Sequence, residues 1–514
     1  MKRLSKSRYM LFCQCPKALW LKVNKPDEAA ADAGVEARFE NGNEVGDLAM
    51  GLFGPYVEVT TKKEDGSLDL SAMINRTKQE MERGTDVICE ASFALDSHYC
   101  AVDILRKTKD GWAIYEVKSS SFPDFEGQVA RLEKYAPDIA YQKWVLTQCG
   151  INVTGTYLVC LNSDYVRQGE LDIQKLFVTV DMHELVENEY LKVSAQVSQA
   201  LKMMAKEDDP NFDLSERCMK PYGCAFLDYC KRQHGVPKDE PTVFDLYRMH
   251  IDKDGIREFL SKLAYPLYFL DFETIQQVVP LYDGTKPYQQ ITFQYSLHIY
   301  NEETAKVERG RLKFTRTISN TTQKEFLAPN DGSDPRRPLA EQLCKDIPMN
   351  ACTLAYNKMF ECGRIRELAA MYPDLSDHLL NIADHIVDLI EPFRAGHYYM
   401  PAMGGSFSIK SVLPALFPDE PSLDYHNLDE RCQNGGNAMF LFPKLVEMQK
   451  RLPKQGMQQL EDGCLAICDS LMKLSDILAI QQEISASRKA LLRYCELDTW
   501  AMVKVWEKLK EVTE

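Results

Sequence analysis

The chain has 514 residues, 45% hydrophobic and 27% charged, an ordinary globular composition that excludes a disordered, collagen-like or coiled-coil protein. At roughly 100–200 residues per domain it accommodates about two to four domains, each able to bury its own core. Lys and Arg number 61 against 76 Asp and Glu, a formal net charge of −15. That balance argues against coating nucleic acid through bulk positive charge, but does not exclude a protein that gathers carboxylates around cations.

No stretch approaches the ~18 apolar residues of a membrane span, and Lys2 and Arg3 precede no apolar signal core. The expectation is a cytoplasmic protein without a membrane partner. In that compartment the sixteen cysteines read as thiols or metal ligands rather than disulfides.

Residues 1–23 carry Lys2, Arg3, Lys6, Arg8, Lys17 and Lys22 and no acidic residue, either a solvated helical face or a local phosphate-binding patch. Strands are predicted at Tyr99–Arg106 and Trp112–Lys118, joined by the turn signal Asp110-Gly111. Helical segments at 128–150 and 182–206 flank an apolar strand, Val153–Cys160. Residues 208–240 hold Pro210, Pro221, Pro237 and three cysteines, so no long regular element fits there. Beyond a boundary near 236–262, strands are predicted at Tyr268–Leu270, Phe293–Tyr300 and Val307–Phe314. A loop at 326–338 and helices at 339–346, 359–371, 445–475 and 483–511 follow. The alternation indicates an α/β fold in two domains, 1–240 and 263–514, with a linker at 241–262.

Three constellations carry chemistry. With Asp110-Gly111 as a two-residue loop, Asp103 falls opposite Lys118, and Glu116 shares the face of Lys118. Two carboxylates there can hold a divalent cation, with the lysine beside it to handle water. A surface hairpin with an ordinary Asp–Lys pair has the same spacing. The second constellation is Cys218, Cys224 and Cys230, five residues apart, with Cys15 far upstream. Thiolates suit zinc or an iron–sulfur cluster, and buried free thiols remain an alternative. In the third, Asp271 and Glu273 share one strand face, and Tyr494 and Asp498 lie one helical turn apart. A two-metal phosphodiesterase needs such carboxylates and a group that orients water, although each piece alone is common in proteins.

The first half resembles the RecB-like branch of the PD-(D/E)XK nucleases. Asp103 and Glu116-Val117-Lys118 match its core, Glu90 its preceding acidic position, and Gln142 its helical glutamine. Where these enzymes often carry a metal-binding histidine, this chain has Gly46, with Glu44 nearby. The resemblance implies Mg²⁺ or Mn²⁺ at Glu90, Asp103 and Glu116, with Lys118 catalytic. It also implies a [4Fe-4S] cluster on Cys15, Cys218, Cys224 and Cys230, one cysteine before the core and three after it, stapling the domain ends. Cys15 is preferred to Cys13 because it begins Cys-Pro-Lys-Ala-Leu-Trp-Leu.

The second half resembles the DnaQ-like, or DEDD, exonucleases of the ribonuclease-H-like fold, tyrosine type. Asp271 and Glu273 match the first motif, Asn357 through Glu361 the second, and Tyr494 with Asp498 the third. Glu361 stands where the family has aspartate. The resemblance implies two metals on Asp271, Glu273, Glu361 and Asp498, with Tyr494 orienting the nucleophile and Asp388 and Lys410 supporting. Asp271-Phe272-Glu273-Thr274-Ile275 and the stretch from Pro287 to His298 also resemble an uncharacterised bacterial family that joins the two regions. The implied function is metal-dependent hydrolysis of DNA, from an end. RNA processing and non-catalytic nucleic-acid binding are the alternatives, and a helicase or a defence or repair partner fits without being specified. No HxxxH, HExxH or P-loop motif is present. Asn434-Gly435-Gly436-Asn437 reads as loop geometry, and Cys464 and Cys468 as helix-spaced packing residues.

Overall fold

A computed structural model describes residues 3–30, 35–123, 129–220, 222–235, 249–301, 321–452, 458–459, 464–467 and 470–514. The α/β expectation holds: the chain forms two compact units, Met1–Glu240 with Gln277–Gln289, and Pro241–Gln276 with Gln290–Glu514. The division expected at 241–262 does not anticipate the excursion at 277–289. Part of that expected linker is a helix, Lys253–Ser261, capped by Asp252. The predicted strand Val307–Phe314 lies outside the described residues.

Unit 1 is built on a sheet in the order β2 (Val57–Glu58), β3 (Val87–Leu95), β4 (His98–Lys107), β5 (Trp112–Phe122), β6 (Val153–Asn162) and β7 (Phe177–Asp181), with β1 (Leu4–Ser5) pairing in parallel with β4. Period-2 alternation gives it two apolar faces. Ile88, Val102 and Ile114 face α5 (Ala136–Gln148) and α6 (His183–Met204) through Ile139 and Val193. Cys89, Ile104 and Tyr115 face a second cluster, which Val278 and Val279 of the excursion complete. The excursion is also tied by Tyr288, whose hydroxyl donates to the Ser119 carbonyl at 2.6 Å. Further helices of this unit include α1 (Lys6–Gln14), α2 (Pro16–Asn24), α3 (Val35–Met50), α4 (Leu70–Arg83) and the short α7 (Leu227–Gln233).

The β4–β5 register corrects the sequence reading. Lys107, not Lys109, pairs with Trp112, so the loop is four residues long and Asp103 falls opposite Glu116 rather than Lys118. A shift of two residues keeps every side chain on its face, so the carboxylates still share one side of the sheet.

Unit 2 contains a short strand β8 (His250–Ile251) and a mixed sheet in the order β11 (Thr321–Leu327), β10 (Gln290–Tyr300), β9 (Leu267–Gln276), β12 (Cys352–Ala355) and β13 (Ile386–Asp388). Along β9, Leu270 and Phe272 enter a core with Leu343, Ile365 and Ile382. Asp271 and Glu273 point to the opposite face, where Phe269 meets Trp506. That face is covered by α13 (Gly435–Arg451), through Phe442 stacked on Phe293 at 4.3 Å, and by α14 (Leu474–Glu511). Further helices of this unit include α8 (Lys253–Ser261), α9 (Arg336–Asp346), α10 (Met359–Met371), α11 (Ser376–Asp384) and α12 (Ile409–Leu416).

The helix expected at 445–475 ends at Arg451, and short strands at Gln458–Gln459, Cys464–Ile467 and Ser470–Lys473 follow. Cys464 therefore stands in a strand, and Cys468 lies outside the described residues. No helix among the described residues is long and apolar enough to cross a membrane.

Candidate metal centres

In unit 1, β3, β4 and β5 bring Glu90, Asp103, Glu116 and Lys118 to one patch. The ladder pairs Cys89 with Ile104 and Ala91 with Val102, so Glu90 stands across from Asp103. Glu90 itself adopts φ +57°, a left-handed conformation that costs a non-glycine residue about 1–3 kcal/mol. Asp103 Oδ2 accepts from the Val117 amide at 2.7 Å. Glu116 is wholly buried and fully engaged: its oxygens accept from Lys118 Nζ at 2.5 Å, Gln142 Nε2 at 2.6 Å and Lys6 Nζ at 3.0 and 3.1 Å. Lys118 also donates to Asp138 at 2.8 Å.

Burial, with Glu116 next to it, pushes the Asp103 carboxyl up to about 6. Burial and Asp103 push Glu90 up to about 7. Burial alone would raise Glu116 too, but Lys118 and Lys6, with the hydrogen bonds from Lys118 and Gln142, hold it well below the usual carboxylate range. The group is thus an ion lattice of four carboxylates and two ammoniums. Sequence reasoning missed Lys6 and Asp138 as members of it. Lys17, from the same basic N-terminal stretch, is likewise drawn inward and pairs with Asp209 at 3.1 Å, so that stretch is neither wholly a solvated face nor wholly a phosphate patch. Gly46 and the exposed Glu44 lie on α3.

In unit 2, three segments far apart in sequence converge. Asp271 and Glu273 come from β9, Glu361 from the first turn of α10, and Tyr494 and Asp498 from α14. Oxygens of Asp271 and Glu273 and the sulfur of Cys495 lie within 4.8 Å of one another. Burial, then the neighbouring carboxylates, drives Asp271 and Glu273 well above the usual range. Burial, then Asp388 and Asp498, pushes Glu361 up to about 8, and burial raises Asp498 to about 6. Tyr494 is held in its phenol form by burial and by Asp498. The Glu361 Oε2 atom is buried without a hydrogen-bond partner, a costly state unless a further group completes it. The four carboxylates, one with an orphaned atom, fit hard divalent cations such as Mg²⁺ or Mn²⁺, with the Cys495 sulfur beside Asp271 and Glu273.

Residues 268–408 match a domain of unknown function, DUF2779. The matched stretch holds Asp271, Glu273, Glu361 and Asp388, and ends before Lys410, Tyr494 and Asp498. The chain is 24% identical over 203 residues to the uncharacterized protein UU173 of Ureaplasma parvum, covering 38% of this chain and 27% of that protein. It is 25% identical over 186 residues to the uncharacterized protein MG366 of Mycoplasma genitalium, covering 35% and 26% respectively. The chain therefore aligns with only about a quarter of the length of these relatives.

Three further residues complete the unit 2 centre. The Tyr425 hydroxyl donates to Asp498 Oδ1 at 2.6 Å. Lys410 Nζ lies 5.5 Å from the Tyr425 ring centroid and 5.9 Å from that of Tyr494. Asp388, at the end of β13, accepts from the Asn357 amide at 2.8 Å and so fixes the turn that leads to Glu361. Asn434 and Gly435 do not form a loop but begin α13. A Cβ on Gly435 would lie 3.7 Å from Glu273 Oε2 and 3.8 Å from the Tyr494 hydroxyl, so backbone closely borders the carboxylates. Lys410, Tyr425 and Asn434 also line a cleft of about 810 Å³ with Phe417 and His426. Cys495 and Tyr425 escaped sequence reasoning. Cys495 has the simple signal of standing between Tyr494 and Asp498, whereas Tyr425 has none.

Cys15, Cys218, Cys224 and Cys230 are free, half-buried thiols. Cys230 feels Cys224, Cys15 and Cys218, which places the four in one neighbourhood. Trp20, Phe226 and Tyr229 wall it, and the Cys224 amide donates to the Cys218 carbonyl at 2.8 Å. Among the described residues no three of these sulfurs lie within 4.8 Å of one another. Four thiol donors in one neighbourhood are the chemistry that soft metal centres, zinc or an iron–sulfur cluster, take.

Proposed function

We propose that the chain is a metal-dependent nuclease that hydrolyses phosphodiester bonds, in DNA before RNA, working from a strand end at the unit 2 centre. The observation that carries this reading is the convergence of Asp271, Glu273, Glu361 and Asp498, with its orphaned Glu361 oxygen, beside a cleft that Lys410 and Tyr425 line. Divalent cations held by these carboxylates would supply Lewis-acid polarisation of the phosphate and lower the pKa of attacking water. The protonated Tyr494 hydroxyl can position that water by hydrogen bonding. Lys410 brings positive charge to the wall where the phosphate chain enters, and the Phe417 and Tyr425 rings offer faces for a base to stack on. In unit 1, Asp103, Glu116 and Glu90 are the proposed ligands and Lys118 the group that handles water. The resemblances to RecB-like and DnaQ-like nucleases support this assignment.

Incubating the purified full chain with end-labelled single- and double-stranded DNA, and with matched RNA, tests it. Mn²⁺-dependent shortening of DNA is expected, abolished by EDTA and by Asp271→Asn combined with Lys118→Ala. No cleavage, or cleavage that survives the double variant, defeats the assignment. A binding-only role for unit 1 is the second reading, favoured by the Lys6 ammonium set among its carboxylates.

For the four cysteines we propose a [4Fe-4S] cluster with a structural role, closing a loop of some 200 residues. Anaerobically purified protein should be brown, with broad visible sulfur-to-iron absorbance and about four irons per chain. Cys224→Ala should bleach it. A colourless protein carrying zinc would refute the cluster.

A further inference from the structure

Lys6 Nζ sits 3.0 and 3.1 Å from the two Glu116 oxygens, 3.5 Å from Asp103 Oδ1 and 3.9 Å from Asp138 Oδ1. An ammonium has three protons to donate, and here three carboxylates face it. A divalent ion bridging Asp103 and Glu116 at the roughly 2.1 Å of Mg²⁺ would need the space between those oxygens that Nζ fills. Two cations at such separation repel strongly. Occupancy by one excludes the other.

The position of Lys6 is built into the fold. Leu4 and Ser5 pair with His98 and Tyr99 at the sheet, and the Leu4 carbonyl accepts from the buried Tyr141 hydroxyl at 2.6 Å. Ser5 caps α1 by accepting from the Arg8 amide, and Tyr9 stacks on Tyr141 at 4.6 Å. The backbone at residue 6 is thereby pinned over the carboxylates. The Lys6 side chain is still 25% exposed, so its ammonium can leave for solvent while the helix stays in place. Unit 2 differs: Lys410 stacks over two tyrosine rings, and although its charge is felt by Glu273 and Asp498, it makes no salt bridge to the centre's carboxylates among the described residues.

We infer that Lys6 is a resident cation of the unit 1 centre, that divalent metal enters only by displacing it, and that the unit 2 centre consequently fills first. The inference rests on the reading of Asp103 and Glu116 as metal ligands. Lys6 is on this account a positioning residue: it keeps Glu116 and Asp103 gathered in the absence of metal and sets the metal concentration at which unit 1 becomes competent.

The test uses the full chain with Asp271→Asn and Asp498→Asn, which removes binding at unit 2, and reads Mn²⁺ binding by calorimetry and electron paramagnetic resonance. Adding Lys6→Met should tighten the remaining site by about tenfold or more, and adding Asp103→Asn should then abolish it. Lys6→Arg keeps the charge and should leave binding weak. Without metal, Lys6→Met should melt below its parent, and saturating Mn²⁺ should close that gap. Equal affinity with Lys6 and with Met overturns the competition while leaving unit 1 a metal centre. No binding in any variant overturns both.

Discussion

Asp498→Asn is expected to cost about 10³-fold or more in Mn²⁺-dependent cleavage at unit 2, and at the same time to raise the melting temperature of metal-free protein. The loss follows because a correctly held cation contributes several kcal/mol to the transition state, and each 1.4 kcal/mol is tenfold in rate. The gain follows from electrostatics. Asp498 is buried with its carboxyl raised to about 6, and Asp271 and Glu273 are raised in part by its charge. Asparagine keeps the shape and can still accept from the Tyr425 hydroxyl, but carries no charge into that crowd.

The sign with pH is fixed by the same facts. A carboxyl whose pKa is higher folded than unfolded binds more protons in the native state between the two values, so stability falls as pH rises through that window. For Asp498 the window runs from its ordinary value of 3.8 to about 6, and for Glu361 from 4.5 to about 8. Metal-free unit 2 should therefore lose stability from about pH 4 to pH 8, by an amount on the order of 3 kcal/mol for Asp498 alone. Asp498→Asn should flatten the lower part of that slope, and Mn²⁺ should cancel it in wild type only. Thermal unfolding across the pH range with and without Mn²⁺ measures all three. A variant no more stable than wild type in EDTA would mean that these carboxylates do not share one cage.

Glu116→Ala is expected to destabilise unit 1 by about 3–5 kcal/mol, the usual cost of removing one partner from a buried ion group. The alanine leaves Lys118 with Asp138 alone, Lys6 with its two longer contacts, and Gln142 Nε2 without its 2.6 Å acceptor. Glu116→Gln retains volume and one acceptor and should cost distinctly less. Because Lys118 and Lys6 hold this carboxyl below its ordinary range, its contribution is present at neutral pH and disappears as pH falls through its depressed pKa. That is opposite in sign to Asp498. Urea unfolding followed by circular dichroism reads the difference, and a loss under about 1 kcal/mol would show that Glu116 is solvated.

Much of the framework was legible because strand and helix periods are local. Met359–Met371 begins and ends at the positions predicted for it, and Leu267–Gln276 grew from the apolar run at 268–270. The β4–β5 register was misjudged because Asp110-Gly111 suggested the tightest turn, whereas the strand ends at Lys107; parity rescued the site. The overlong helix at 445–475 ignored Pro453, Gly456 and Gly463, breakers in plain view. The carboxylates announced themselves through motif spacing. Lys6, Asp138 and Tyr425 could not, since each acts at a centre whose other members lie tens to hundreds of residues away. Only the folded chain decides that Lys6, out of six basic residues near the N-terminus, meets Glu116.

The excursion at 277–289 bears on the order in which the protein can be made. Val278 and Val279 belong to the apolar cluster around Ile104 and Tyr115, yet they are encoded after β9 of the other unit. A ribosome that has synthesised the first 240 residues has not yet supplied two of the side chains that close that cluster. The earlier-made unit must wait, its interior partly open, until synthesis has passed residue 289. A fragment cut at 240 should accordingly be prone to aggregate.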